Sequence, residues 1–495
     1  MKNVKYLCLT SILSLCAIFS GCGGEVENNN KNTFANAPDY SGSNKQYTFW
    51  AYSGTCDDWY QIAGDRYVFE DGTRQTEENT KRYADAGFNV LFVDWTFPFN
   101  SKADNFQKSK LKTVMDYAHK YGLKCFIFEN NLHSLSSSKT SLIDPNNFDN
   151  IKKFESEVAL TEFVRNALKD VSQHPAFYGV SLVDEPTYEQ IPAWGEVYRA
   201  VKAAYPDAWV NINLLPMSYS VHDRYCEGGT EMNTIPAYRN YLNTYYEHVG
   251  QYSHSIQYDD YPILTKNRIW YMHLDNMQMV ADMAKEKGMT FGKVYQTYDD
   301  GTSRREPTET DMYWQMNIGM AMGIKDHSYY YYYPVVNASK EYDETTSIVN
   351  RKGEPNRLYW ILQKLHGEMQ FNARALMNFE YRGLNYYLKA PVPGYMNYLG
   401  GVEKNDLLFV EDVSLESEGI ILTTELYDED NDQYGYYFVN ITDPEQTTNI
   451  EVDIEFNNKE NIQIYNGKEV VNEKLGDGKT TITLSTGQGV FIMPF

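Results

Sequence analysis

The sequence predicts an α/β protein, a (β/α)8 TIM barrel followed by a small C-terminal antiparallel β-sandwich. Three observations predict this fold. Short β-rich runs alternate with stretches of helical period from residue 47 onward. Eight such units fit within residues 47–377, a normal length for a (β/α)8 barrel with loop insertions. From residue 378 to 495 the helical period disappears, and alternating runs separated by Asn, Asp and Gly indicate a β-sandwich.

The first half of the predicted barrel contains four strands and three helices. Its predicted strands cover residues 47–53, 89–95, 123–130 and 177–186. Helical period falls near residues 76–86, 108–121 and 157–171. Gly87 and Gly122 directly follow the first two of these helices, as a C-terminal glycine commonly does.

The second half repeats the scheme. Its predicted strands cover residues 209–216, 253–262, 290–298 and 326–333. Its predicted helices cover residues 191–205, 235–249, 268–287, 309–322 and 356–376. In the last strand, the tyrosine run 329–333 can direct only about half of its rings inward, because strand side chains alternate.

The N-terminus predicts export and lipid anchoring. Residues 1–22 have a basic start and a short apolar stretch, which is typical of a secretory signal peptide. The segment ends in Phe19-Ser20-Gly21-Cys22, which resembles a bacterial lipobox whose cysteine, Cys22, would be lipidated. Residues 23–46 then form a flexible tether to the bacterial cell envelope or surface. The alternative is an ordinary signal peptide with a chance cysteine.

Composition excludes several classes of partner. The net charge of −23 disfavours nucleic acid and electrostatic docking on anionic lipid, so membrane contact is expected through the anchor only. The sequence has no Gly-rich phosphate loop, and its few His residues are not clustered. We therefore expect no cofactor and no metal. The 43 tyrosines suit a carbohydrate partner, whose rings offer CH faces and hydroxyl rims, although half-buried structural positions explain them equally well.

Polar residues follow the apolar part of most predicted strands. In a parallel barrel these carboxyl ends meet at one mouth, so they are candidate ligand contacts. The candidates are Asp94, Trp95, Glu129, Asn130, Asp184, Glu185, Asn213, Asp259, Asp260, Tyr261, Gln296 and Tyr298, together with Trp50 on the first strand. Each has a structural alternative, since the acids could cap helices or form ion pairs with neighbouring loops.

The stretch 174–186, His-Pro-Ala-Phe-Tyr-Gly-Val-Ser-Leu-Val-Asp-Glu-Pro, resembles the fourth strand of clan A glycoside hydrolases. It is most similar to bacterial β-galactosidase-like barrels and their secreted relatives. The resemblance implies that Glu185 is the acid/base residue. Asp184 stands where the family has Asn, so the expected contact with a substrate 2-hydroxyl would be altered.

The sequence departs from this family at strand seven. The family's nucleophile is a Glu at the end of that strand, where Gln296 stands here. Three explanations stay open. Another carboxylate, Asp260, Asp259 or Glu129, could replace the nucleophile; a substrate acetamido group could attack instead; or hydrolysis could be lost.

The sequence thus predicts a surface-anchored glycoside hydrolase that cleaves an oligo- or polysaccharide with a carboxylate pair, Glu185 with Asp260 or Glu129. The alternative is a glycan-binding lipoprotein on a degenerate barrel. A structural surface protein without a glycan ligand is a third hypothesis. The sequence makes no prediction of oligomeric state.

Overall fold

Parallel strands alternate with helices in the described residues of the first three-quarters of the chain. The computed structural model describes residues 34, 36–55, 59–62, 65–68, 75–93, 99–135, 141–143, 153–218, 224, 234–266, 268–334, 347–350, 352–389, 391–396 and 406–495. The strands are β1 (Thr48–Ala51), β2 (Val90–Val93), β3 (Lys124–Phe128), β4 (Phe177–Asp184), β5 (Trp209–Asn213), β6 (Ser255–Asp259), β7 (Thr290–Gln296) and β8 (Ile324–Tyr330). The helices are α1 (Glu77–Asp85), α2 (Lys110–Lys120), α3 (Glu157–Leu168), α4 (Ile191–Ala204), α5 (Thr234–Tyr245), α6 (His273–Lys287), α7 (Glu309–Ala321) and α8 (Arg357–Leu376).

The parallel strands form two four-stranded sheets. One has the order β1-β8-β7-β6, and the other runs β2-β3-β4-β5. Backbone hydrogen bonds link their edges at two seams. Leu214 N–H donates to Gln257 O at 2.9 Å between β5 and β6, and Asn89 N–H donates to Phe49 O at 3.1 Å between β1 and β2.

Local sequence explains where the helices begin and end. Thr76, Ser109, Ser156 and Thr308 cap the amino ends of α1, α2, α3 and α7 through their side chains. Gly87 and Gly122, which follow α1 and α2, have φ of 88° and 74°, in the left-handed region that glycine adopts without a Cβ clash.

Some predicted boundaries differ from the structure. The helix predicted from residue 268 begins only at His273, because Arg268 and Ile269 pair with Ile263 and Leu264 in a short hairpin. The helix predicted to reach residue 249 is α-helical only to Tyr245 and continues as a π-helical turn.

An aromatic cluster fills the space that the two sheets enclose. Trp50, Phe92 and Phe126 pack edge to face or stacked with ring centroids 4.4–5.5 Å apart. A separate, larger core lies between the strands and the helices. Because these side chains pack against one another between the sheets, space for a ligand is expected at the carboxyl ends of the strands.

The C-terminal part is antiparallel. Its strands are β9 (Glu380–Leu388), β10 (Val410–Leu415), β11 (Ile420–Asp428), β12 (Gln433–Asn440), β13 (Asn449–Phe456), β14 (Asn461–Tyr465), β15 (Val470–Lys474), β16 (Lys479–Ser485) and β17 (Gly489–Pro494). They form a six-stranded sheet, β9-β11-β12-β17-β14-β15, and a three-stranded sheet, β10-β13-β16. Apolar residues of both sheets share one core. Helix α7 attaches to this part through Trp314 Nε1, which donates to Ile441 O at 3.1 Å.

Candidate active site

A cavity of about 540 Å³ opens at the carboxyl ends of β4 to β8. The acidic residues Asp184, Glu185 and Asp259 line it together with aromatic rings. The remaining lining residues are Leu215, Pro216, Ser218, Asp260, Tyr261, Leu264, Trp270, Tyr298, Ser303, Arg304 and Tyr330. The loops after four different strands therefore meet around one space, as the polar strand ends predict.

Asp184, the last residue of β4, is held by two neutral donors. Asn213 Nδ2 donates to its Oδ1 at 2.9 Å, and the Tyr52 hydroxyl donates to the same atom at 3.2 Å. Burial raises the pKa of Asp184, while these two hydrogen bonds and the nearby Arg224 lower it. The donors stabilise the ionised form of this carboxyl group.

Glu185 follows in an unusual backbone conformation. Its φ is 49°, in the left-handed region, and its N–H donates to Asn213 O at 2.8 Å. Neighbouring strand residues normally point to opposite faces, and the left-handed turn lets both Asp184 and Glu185 line the same cavity. A non-glycine residue in this region carries local strain, which is frequent at functional sites.

Arg224 neutralises part of the charge on Glu185. Its Nη1 lies 3.3 Å from Glu185 Oε2, and its Nη2 donates to the Glu185 carbonyl at 2.5 Å. The Glu185 side chain remains 34% exposed. Burial and the charge of Asp184 raise its pKa, and Arg224 opposes that rise.

Asp259, at the end of β6, is the most buried of the three acids, with 5% exposure. The Tyr261 hydroxyl donates to its Oδ2 at 2.9 Å. Among the described residues, no donor reaches Oδ1. Burial, then the charges of Glu185 and Asp184, raise the pKa of Asp259 well above its ordinary value.

The surroundings of the three carboxyl groups differ in how strongly they favour the ionised form. Asp184 has two donors and Glu185 has a guanidinium, whereas Asp259 has one donor and faces two carboxylates. Neighbouring like charges raise one another's pKa. The pKa of Asp259 is raised well above its ordinary value, so of the three carboxyl groups Asp259 is the one whose protonated form the site favours most.

Asp260 does not present its carboxyl group to this cavity. The chain borders the cavity there, but the side chain is 0% exposed. Its Oδ1 pairs with Lys293 Nζ, and its Oδ2 lies 2.6 Å from His273 Nδ1. Burial lowers the pKa of both partners, that of His273 to about 3. Asp260 therefore has the structural ion-pair role that was the alternative to a catalytic one.

Glu129 caps a short helix instead of facing the cavity. Its Oε2 accepts from Leu132 N at 2.9 Å, and its Oε1 accepts from Ser101 N at 3.2 Å and Asn131 Nδ2 at 2.7 Å. Asn130 is the first residue of that helix and does not line the cavity. Neither residue is placed to contact a ligand there.

The side chains of Gln296 and Trp50 also form their hydrogen bonds outside the cavity. The Gln296 side chain is buried and bonds only to backbone of the surrounding loops: it accepts from Ile263 N and donates to the carbonyls of Ile263, Tyr298 and Arg305, at 2.9–3.1 Å. Trp50 is fully buried below the cavity and donates from Nε1 to Asp326 Oδ1 at 2.9 Å. Trp50 is therefore not a sugar platform, contrary to the expectation from its position.

Two predicted aromatic residues, Tyr261 and Tyr298, do line the cavity. Their rings meet edge to face with centroids 5.1 Å apart, and Tyr330 packs against both. Asn213 lies beneath them, fully buried, and acts through Asp184. The predicted contacts Asp94 and Trp95 and the predicted lipidation residue Cys22 lie outside the described residues.

Sequence reasoning missed four lining or supporting residues: Tyr52, Arg224, Trp270 and Arg304. Tyr52 lay inside the predicted first strand, and its position near the strand end could have singled it out. Arg224 and Arg304 sit in long connections without periodic pattern, where the sequence gives no signal of direction. Trp270 falls within the helix predicted over 268–287, which begins only at His273.

Two properties of the described part of the chain bear on metal and membrane binding. No group of three or more His, Cys, Asp or Glu side chains there is arranged to hold a metal ion. None of its helices has the length and apolar character needed to span a bilayer.

No protein-family model matches the sequence, and no curated protein matches it either. Solved glycoside hydrolases are structurally similar to the chain. A family 30 subfamily 8 xylanase from Clostridium acetobutylicum shares 12% identity over 91% of this chain and 97% of its own, with a TM-score of 0.43. A family 27 β-L-arabinopyranosidase from Geobacillus stearothermophilus shares 12% identity over 92% and 97%, with a TM-score of 0.45.

An α-amylase from Anoxybacillus shares 10% identity over 92% of this chain and 99% of its own, with a TM-score of 0.47. At TM-scores below 0.5, such likenesses carry no weight for activity or substrate. Both must be inferred from the chemistry of the cavity itself.

Proposed function

We propose that this protein is a glycoside hydrolase and that its two parallel sheets close into a (β/α)8 barrel around the cavity. The observation that carries the activity is the convergence of Asp184, Glu185 and Asp259 from two strands on one aromatic-walled space. Glycosidic cleavage needs two carboxyl groups that flank the scissile bond. The hydrogen bonds at both seams between the sheets support closure.

The carboxyl groups on β4 and β6 differ in how readily they bind a proton, and this gives them opposite roles in the proposed reaction. Asp259 holds a proton at rest and donates it to the leaving glycosidic oxygen. Glu185, ionised and more exposed, acts on the anomeric carbon directly or through water. This reverses the acid role that the sequence resemblance implies for Glu185. The hydrogen bonds from Tyr52 and Asn213 favour the ionised form of Asp184, which would stabilise positive charge on the sugar ring in the transition state.

The aromatic residues in the cavity wall are suited to binding a sugar ring. Tyr261, Tyr298 and Trp270 bring apolar ring faces and polar tips to the same space as the carboxyl groups. Rings of this kind pack on the CH faces of pyranoses while their polar atoms reach hydroxyl groups.

The test combines a glycan panel with two isosteric variants of the full chain. Aryl glycosides and oligosaccharides are screened for turnover with wild type, Asp259→Asn and Glu185→Gln, with Glu418→Gln at an exposed C-terminal position as control. Loss of general acid catalysis should lower kcat roughly 10²–10⁴-fold on poor leaving groups. We expect Asp259→Asn to spare dinitrophenyl glycosides, whose leaving group needs no proton, while Glu185→Gln loses activity on every substrate.

The other outcomes are equally decisive. If Glu185→Gln spares the dinitrophenyl glycosides instead, Glu185 is the acid, as the resemblance implies. Wild-type binding of glycans without any cleavage would overturn hydrolysis and leave a glycan-binding protein. That second function is favoured by one observation: no carboxylate occupies the end of β7, where Gln296 is committed to backbone contacts.

We also propose that the protein is exported and lipid-anchored at the cell envelope through Cys22. The support is the signal-like segment 1–22 and its lipobox-like end. Metabolic labelling with a radioactive fatty acid should mark the wild type and leave Cys22→Ala unlabelled. Labelling of both proteins would contradict the anchor.

A further inference from the structure

One cation in the cavity wall has no role in the proposed cleavage. Arg304 lines the cavity, and its side chain is about one-third exposed. It lies in the loop after β7, whose backbone pairs with the loop after β6 through the bridge between Leu264 and Arg304. The backbone at Arg304 is therefore held between the loops that follow β6 and β7, both of which line the cavity.

The loop does not need the Arg304 side chain to hold its shape. The Asp300 carboxylate accepts from the backbone N–H groups of Thr302, Ser303 and Arg304 at 2.7–3.0 Å, and from the hydroxyls of Thr302 and Ser303. Backbone and side-chain hydrogen bonds lower the pKa of Asp300, so it stays ionised. These five donors organise the turn by themselves.

The guanidinium is held only weakly by its surroundings. Its Nη1 lies 3.4 Å from Asp300 Oδ2, and its Nε donates to Tyr261 O at 3.4 Å. Among the described residues it makes no shorter contact. Arg224 differs, since it makes a short bond to the Glu185 carbonyl and pairs with the Glu185 carboxylate.

A cation–π contact adds to the weak contacts of Arg304. Its guanidinium carbon lies 5.6 Å from the centroid of the Tyr261 ring, within cation–π range. Tyr261 also donates to Asp259, so the same residue touches the proposed acid and this cation. A guanidinium is planar and carries several edge donors, which suits two-point binding of a carboxylate.

We propose that Arg304 binds the carboxylate of a sugar acid, and that the substrate is a glycan containing uronic acid next to the scissile bond. This inference rests on the proposed function of the same cavity. The reacting carboxyl groups are on β4 and β6, whereas Arg304 stands on the wall formed by the loop after β7. Substrate orientation and discrimination against neutral sugars follow from that one contact.

The experiment uses substrate pairs that differ only at C6, carboxylate against hydroxymethyl. Aryl glucuronides and glucosides, and galacturonides and galactosides, are compared in both anomers, with the matching oligosaccharides for internal cleavage. Arg304→Gln is the test variant. Arg268→Gln, at an exposed arginine in the nearby hairpin outside the cavity lining, is the matched control.

We expect wild type and Arg268→Gln to favour the uronide. Arg304→Gln should lower kcat/KM for the uronide roughly 10–100-fold, the value of a charge-assisted hydrogen bond, and leave the neutral sugar unchanged. Equal losses on both sugars would show that Arg304 is only a loop support and would overturn the inference. A wild-type preference for neutral sugars would also overturn it.

A binding experiment tests the carboxylate site even if the protein does not hydrolyse glycans. If no substrate is cleaved, calorimetry with free glucuronic and galacturonic acid against glucose and galactose decides. Tighter binding of the acids by wild type, lost in Arg304→Gln, supports the carboxylate site without catalysis. Equal binding of acids and neutral sugars rejects it.

Discussion

At the scale of single residues, Asp259 gives the protein a defined pH dependence. Its pKa is raised by burial and by two neighbouring carboxylates, so the folded state binds this proton more tightly than the unfolded chain. At acidic pH Asp259 is protonated in both states and does not lower the stability of the folded state. Stability then falls as pH rises from the unfolded value, about 3.9, toward the folded pKa of Asp259, by up to about 1.4 kcal/mol per pH unit.

Asp259→Asn should remove this fall, because an amide does not ionise. Urea unfolding at a series of pH values is the measurement, with exposed Asp207→Asn as control. We expect the Asp259→Asn curve to rise relative to wild type as pH increases, and the control curve to run parallel. A constant offset between Asp259→Asn and wild type at every pH would show that folding does not change the pKa of Asp259.

The sequence predicted which acids lie near one another, but not the direction of each side chain. Asp184, Glu185 and Asp259 were identifiable because each ends an apolar strand, and parallel strands end at one edge. The same reasoning selected Asp260, whose direction depends on Lys293, 33 residues further along the chain. Which of two adjacent carboxyl groups faces a cavity depends on such distant partners, and a single sequence does not reveal them.

At the scale of elements, the Lys293–Asp260 pair joins β7 to the loop after β6. Both side chains are completely buried, and Lys293 Nζ also donates to the Asp260 carbonyl at 3.2 Å. A buried pair contributes little net stability, but removing one partner leaves an uncompensated charge, at a cost of about 3–5 kcal/mol. We expect Lys293→Met to be strongly destabilising.

The double variant Lys293→Met with Asp260→Leu should recover much of that loss, because no isolated charge remains in the core. Chemical denaturation of both single variants and the double variant yields the coupling energy. Additive losses would mean that the pair is hydrated and does not act as a buried unit. Since Asp259 precedes Asp260 in the chain, recovered stability with altered activity would show that the pair also positions the acid.

Elements were predictable where their pattern was local. Apolar runs such as Val90–Val93 are buried at every position, and threonine or serine caps marked several helix starts. The segment around Arg268 carried helical period but pairs as a hairpin, because Arg268 and Ile269 bond with Leu264 and Ile263 in the preceding loop. Tertiary pairing overrides local pattern at such positions, and it does so next to the cavity.

At the scale of the whole molecule, the net charge would repel an acidic glycan, whereas the cavity would attract its carboxylate. The net charge of −23 repels a polyanion during approach, whereas Arg304 would bind one carboxylate within the cavity. These two interactions respond differently to salt. The Debye length shrinks from about 30 Å at 0.01 M to about 8 Å at 0.15 M ionic strength, while a contact inside a partly buried cavity is screened much less.

We therefore expect kcat/KM for a uronic-acid oligosaccharide to rise as sodium chloride is added from low concentration to physiological ionic strength. The matching neutral oligosaccharide should show no change, which separates this effect from a general influence of salt on the protein. Steady-state kinetics at fixed pH across the salt series is the measurement. A fall in kcat/KM for the acidic substrate would mean that attraction by Arg304 and Arg224 outweighs the field of the whole protein, and the acidic surface would then have no part in substrate selection.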